Sequence, residues 1–147
     1  NQMDISKLKP ASIMLVEDSE GDVYIFKRAI KDAKVLNDVI VFKDGKQALE
    51  FLTDEKNRDK LPGIIFLDIN MPMVSGFEVL KSVKADDRLS LIPVVMLTIS
   101  QEEEDIIRSY DYGAVSFITK TVRPENLLDI VSASPGLQFV VYEEMVD

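Results

Sequence analysis

Five residues have both the types and the spacing to do chemistry: Glu17, Asp18, Asp68, Thr98 and Lys120. Each follows a short apolar run. Glu17-Asp18 ends Ile13-Met14-Leu15-Val16, and Asp68 ends Ile64-Ile65-Phe66-Leu67. Thr98 closes the run 93–97, and Lys120 follows 114–119. Taken singly, each has an ordinary reading. Asp after a strand makes turns and caps, Thr is a common strand residue, and Lys is usually a solvated charge. Taken together they have another. In a doubly wound parallel sheet the carboxyl ends of the strands share one edge, and ligands bind in the crevice there. Three carboxylates, a hydroxyl and an ammonium would then converge.

The chemistry follows from the residue types. Clustered carboxylates repel one another and raise each other's pKa values. A hard cation relieves that repulsion, and Mg²⁺ favours a few carboxylates together with water and phosphate oxygens. A carboxylate is also a nucleophile toward phosphorus, giving an aspartyl phosphate. Mg²⁺ and Lys120 would offset the charge on a transferring phosphoryl group, and Thr98 could donate a hydrogen bond to it.

Composition narrows the field further. The 147 residues carry 26 acids and 17 bases, a net charge of −9, with neither Cys nor His. Thiolate chemistry, disulfides, imidazole catalysis and Ser-His-Asp triads are excluded. The negative balance argues against nucleic acid or an anionic membrane as direct partner. Residues 1–10 are polar with two lysines, unlike a signal peptide. The longest apolar stretch, 91–99, is interrupted by Pro93 and Thr98 and falls short of a membrane span. The expected location is the cytoplasm.

The elements that would position these residues alternate regularly. Apolar runs at 13–16, 39–42, 64–67, 93–97 and 114–119 read as strands buried on both faces. Helical periodicity marks 19–33, 45 to about 56, 76–85, 101 to about 112, and 124 to about 133. Ser19 with Asp22, and Ser100 with Glu103, resemble capping boxes. Gly113 suits a helix end and Pro124 a helix start. Residues 57–63 read as a polar connection. Strands alternating with helices define an α/β fold, a doubly wound five-stranded parallel sheet with helices on both faces. The reading divides the chain into an N-terminal extension at 1–10, one domain at 11–134 and a C-terminal extension at 135–147, too short for an output domain.

The chain resembles the receiver domain of two-component response regulators, the CheY-like family. The carrying motifs are Ile13 through Asp18, Ile65-Phe66-Leu67-Asp68-Ile69-Asn70-Met71-Pro72 with Gly76, Pro93 through Thr98, and Gly113-Ala114 through Phe117-Ile118-Thr119-Lys120. The resemblance implies a flavodoxin-like sheet of order 2-1-3-4-5. It implies Asp68 as phospho-acceptor and Asp18 as direct Mg²⁺ ligand. Asn70 would ligate through its backbone carbonyl and Glu17 through water. Thr98 and Phe117 match the switch pair, and Lys120 the lysine that pairs with the acyl phosphate. The implied partners are a sensor histidine kinase or phosphotransfer protein and a downstream protein target. A homodimer would use either the fourth helix, fifth strand and fifth helix, or the C-terminal segment. The stretch Val16 through Val23 is similar to stand-alone regulators serving phytochrome-type kinases.

Three positions depart from the family pattern. Ile99 stands where a small residue is common and should restrict access to the phosphoryl group. Thr121 stands where proline is common; the family's cis bond is cheap only before proline, so the placement of Lys120 turns on whether it persists. Phe117 has no hydroxyl to offer a partner. Two other functions remain open at this stage. One is a degenerate receiver acting as a phosphorylation-independent interaction module. The other is an aspartate-nucleophile phosphatase, which needs a second acid where this chain has Asn70.

Overall fold

Short runs of branched apolar residues make strands that bury both faces, and here they form one parallel sheet. The structure, a computed structural model, describes residues 11–133. The strands are β1 (Ile13–Val16), β2 (Val39–Phe42), β3 (Ile64–Asp68), β4 (Val94–Thr98) and β5 (Ser116–Thr119). Their order across the sheet is β2-β1-β3-β4-β5, and every pairing is parallel. The helices are α1 (Glu20–Asp32), α2 (Gly45–Thr53), α3 (Gly76–Ala85), α4 (Glu103–Asp111) and α5 (Pro124–Ala133).

The period-2 alternation of strand side chains divides the core into two layers. Met14, Val16, Ile65, Leu67, Val94 and Met96 pack with Leu52 of α2 and Phe77, Leu80 and Val83 of α3. Ile13, Leu15, Ile64, Phe66, Val95 and Leu97 pack with Phe26 and Ile30 of α1 and Leu127 and Ile130 of α5.

Strand register places the polar residues. Val16 pairs with Leu67, so Glu17 emerges beside Asp68. Asp68 pairs with Leu97, and Thr98 pairs with Thr119, so Lys120 emerges next to Thr98. A one-residue slip in any pairing would turn these side chains to the wrong face. Gly76 adds a close approach. A Cβ there would collide with the Asp68 carbonyl oxygen, so α3 can start directly on the end of β3 only without a side chain.

Two helix boundaries differ from the sequence reading by two residues or more, and β5 starts two residues later than expected, at Ser116. Helix α2 stops at Thr53, because Asp54 is extended and its carboxylate accepts from Lys56 N–H; a 3₁₀ turn spans Glu55–Lys60. Helix α4 begins at Glu103, and its N-cap Glu102 makes no side-chain cap bond. Ser100 instead accepts from Glu102 N–H at 3.1 Å, a local turn outside the helix. By contrast, Ser19 caps α1 as expected, accepting from Asp22 N–H. The extensions expected at 1–10 and 135–147, with the dimerisation segment among them, lie outside the described residues. Among the described residues no helix is long and apolar enough to cross a membrane.

Candidate functional site

At the carboxyl edge of the sheet, β1 and β3 deliver their terminal acids into a shared, largely buried position. Glu17 is 1% exposed and Asp68 3%, while Asp18 faces solvent. Glu17, Asp18 and Asp68 each offer a carboxylate oxygen within 4.8 Å of the others. Main-chain bonds hold the set in place. Glu17 N–H donates to Phe42 O at 2.9 Å, and Lys120 N–H to Thr98 O at 2.7 Å. Glu17 Oε2 accepts from Ser19 N–H at 3.3 Å, and Asp68 Oδ1 from Asn70 N–H at 3.3 Å.

Lys120 reaches into the cluster from the end of β5. Its Nζ lies 2.6 Å from Glu17 Oε1, 3.0 Å from Asp22 Oδ2 and 3.2 Å from Asp68 Oδ1. The Lys120–Thr121 peptide is cis, so the backbone form expected of the family is kept with threonine in place of proline. Burial pushes the Glu17 carboxyl up to about 7; the hydrogen bond from Lys120 opposes the rise, and the neighbouring Asp68 adds to it. For Lys120, burial favours the neutral amine, but hydrogen bonds to Glu17 and Asp22 and the charges of Asp68 and Glu17 outweigh it and hold the ammonium above its ordinary range.

This donor set fits a hard divalent cation. All ligand atoms are oxygens, three carboxylates converge, and a single ammonium is shared by Glu17, Asp68 and Asp22. The negative charge of three carboxylates within 4.8 Å of one another is what such a cation relieves. A cleft of about 170 Å³ opens onto the cluster, with Asn70 and Ile99 on its wall. Ile99 is 76% exposed, so it lines the mouth rather than filling it.

The expected switch pair, Thr98 and Phe117, sits on neighbouring strands. Thr98 is fully buried, and its hydroxyl accepts from Ser100 N–H at 3.0 Å. Phe117, opposite Met96 in the register, is half-buried against the α3 core layer. The structure thus gathers Glu17, Asp18, Asp68 and Lys120, with Asn70 at the rim, and leaves Phe117 outside the cluster. The residue that the sequence reading passed over is Asp22, assigned there only a capping role. Its carboxylate contacts Lys120 instead, and the signal was its helical phase: Asp22 heads the inward stripe Phe26, Ala29 and Ala33.

Comparison with known proteins identifies this arrangement. Residues 13–132 match the family model of the response regulator receiver domain. The response regulator Rcp1 of Synechocystis sp. is 35% identical over 131 residues, covering 88% of this chain and 87% of that protein. The structure of the bacteriophytochrome response regulator RtBRR has a TM-score of 0.78 at 38% identity, covering 92% of this chain and 83% of that one. The phosphorylated cyanobacterial phytochrome response regulator RcpA has a TM-score of 0.71 at 36% identity, covering 84% and 90%. The Mn²⁺-bound form of Rcp1 has a TM-score of 0.70 at 33% identity, covering 92% and 100%. The chain belongs to the response regulator receiver family and is a CheY-like domain of two-component signalling.

Proposed function

We propose that this receiver is a phosphorylation-controlled switch in which Asp68 accepts a phosphoryl group from a histidine kinase or phosphotransfer protein. The observation that carries this reading is the buried Asp68 carboxylate held between two acids and Lys120 Nζ at 3.2 Å. These 147 residues contain no histidine, so a phosphohistidine donor lies outside them. An Asp68 carboxylate oxygen attacks phosphorus as the P–N bond of the donor breaks. The electron pair stays on the imidazole nitrogen, which takes a proton from solvent.

Asp18, Asp68, the Asn70 carbonyl and, through water, Glu17 would hold Mg²⁺, which would supply charge neutralisation for the transferring group. Lys120 keeps an ammonium beside the new acyl phosphate, and Thr98 exchanges its Ser100 contact for a hydrogen bond to a phosphoryl oxygen. Phe117 then moves inward behind Thr98, changing the surface of α4, β5 and α5 that a downstream protein reads. Two relatives support this reading by what their structures hold, one Mn²⁺ and the other a phosphoryl group. The only chemistry proposed is the domain's own phosphorylation and dephosphorylation, in the cytoplasm. Asn70, lacking an acid to protonate a leaving group, disfavours a phosphomonoesterase.

Acetyl phosphate with Mg²⁺ should label the chain, and Asp68→Asn should abolish the label. A label that survives Asp68→Asn would overturn the assignment.

A further inference from the structure

One ion pair in the cluster has no task in phosphoryl acceptance as described. Lys120 Nζ lies 3.0 Å from Asp22 Oδ2, as near as it lies to Asp68. Yet Asp22 is absent from the group of carboxylates that converges on the cation position. It stands on the first turn of α1 with its side chain 35% exposed, whereas Glu17 and Asp68 are buried. Its own N–H donates to Ser19 Oγ at 3.2 Å, which fixes the turn that carries it directly after Glu17-Asp18.

An ammonium has three donors; three carboxylates lie within ion-pair distance of this one, and Asp22 Oδ2 accepts a hydrogen bond from it at 3.0 Å. Two of the three, Glu17 and Asp68, are the groups that a cation and a phosphoryl group would engage. Asp22 alone keeps its charge free for Lys120 throughout. A lysine stem has four rotatable carbons and no preferred direction. Beside this one is a hollow of only about 10 Å³, walled by Phe26, Leu97, Thr121 and Val122 together with Glu17 and Asp22, whose carboxylates are the only anionic groups lining it.

We propose that Asp22 is a positioning residue that anchors the Lys120 ammonium between α1 and Asp68, keeping one N–H donor aimed at the acceptor while the other carboxylates turn to the cation. The proposal rests on Asp68 being the acceptor, and the two can fail separately.

The test is a double-mutant cycle on the rate of acyl-phosphate formation from acetyl phosphate at saturating Mg²⁺. Asp22→Asn should slow it about tenfold, as loss of one charge-assisted hydrogen bond implies. Asp22→Glu, which keeps the charge and the reach, should restore most of the rate. In a Lys120→Met background, Asp22→Asn should change the rate by less than about twofold, because the shared interaction is already gone. An equal slowing in both backgrounds, or none in either, overturns the anchor. A second readout needs no phosphorylation: acylation of Lys120 by a small amine-reactive reagent, followed by mass spectrometry. Asp22→Asn should raise Lys120 reactivity several-fold while the other lysines stay unchanged. Unaltered Lys120 reactivity overturns the anchor whatever Asp68 does, whereas a wild-type chain left unlabelled by acetyl phosphate counts against the acceptor alone.

Discussion

Helices α3 and α4 are neighbours of similar length, and they are held in very different ways. Helix α3 buries Gly76, Phe77, Val79, Leu80 and Val83. Helix α4 buries only Ser109, whose hydroxyl donates to its own helix at Asp105 O. Ile107 and Tyr110 of α4 are about half exposed, as is Val115 just before β5. What joins α4 to α3 is polar and aromatic: Arg108 lies 4.2 Å from the Phe77 ring centroid, and Phe77 meets Tyr112 edge-on at 5.8 Å. The contrast matches the two tasks proposed for this receiver. Helix α3, locked by Gly76 onto the Asp68 backbone, keeps the proposed acceptor in place. Helix α4, with few buried apolar contacts, belongs to the low-stability end of the molecule from which moving elements are drawn. An open cleft of about 400 Å³ lies at the end of β5, lined by Gln101, Phe117 and Asn126 among others.

The comparison is broken most severely through the core. Leu80→Ala, at a fully buried site, should cost about 2–5 kcal/mol in urea unfolding. The matched change Ile107→Ala on α4 should cost less than about 1 kcal/mol. Equal costs would show that α4 is as firmly seated as α3. Hydrogen exchange gives the same contrast without mutation: α4 amides should open at lower free energy than those of α3.

A smaller effect concerns the acid cluster. The folded-state pKa of Glu17, about 7, lies above its ordinary 4.5. The folded chain therefore binds this proton more tightly than the unfolded chain. The stabilisation is fully present below about pH 4.5 and is lost as pH rises through about 7. In metal-free protein, Glu17→Gln should thus gain stability relative to wild type by about 1–3 kcal/mol between pH 5 and pH 8. Denaturation curves in a chelator at both pH values measure it, and a difference that stays flat with pH would contradict the burial argument. Smallest of all, Arg108→Ala should cost about 0.5–1 kcal/mol, the worth of a cation–π contact, and should raise exchange in α4 more than in α3.

How far the sequence reaches is clear from particular residues. The strands were legible because short apolar runs end abruptly in polar residues. The position of Glu17, Asp68 and Lys120 at one edge then follows from parallel register alone. Helix α1 was legible because Ser19 caps it. The start of α4 was not, because Ser100 can close a turn as well as cap a helix, and the local sequence does not decide between them. Nor was the Asp22–Lys120 contact, which joins residues 98 positions apart. A capping role satisfied the sequence pattern at Asp22 while its carboxylate was used elsewhere. The contrast between α3 and α4 was hidden for a similar reason. Both have apolar residues at helical spacing, and only packing shows which are covered.

The central claim is that the rigid acidic edge, and not the looser α4 side, receives the phosphoryl group. The most direct measurement is peptide mapping by mass spectrometry after incubation with acetyl phosphate, with and without Mg²⁺. The account predicts one added phosphoryl group, dependent on Mg²⁺, on the peptide containing Asp68. A label on any other peptide, or one of equal extent in a chelator, would contradict it.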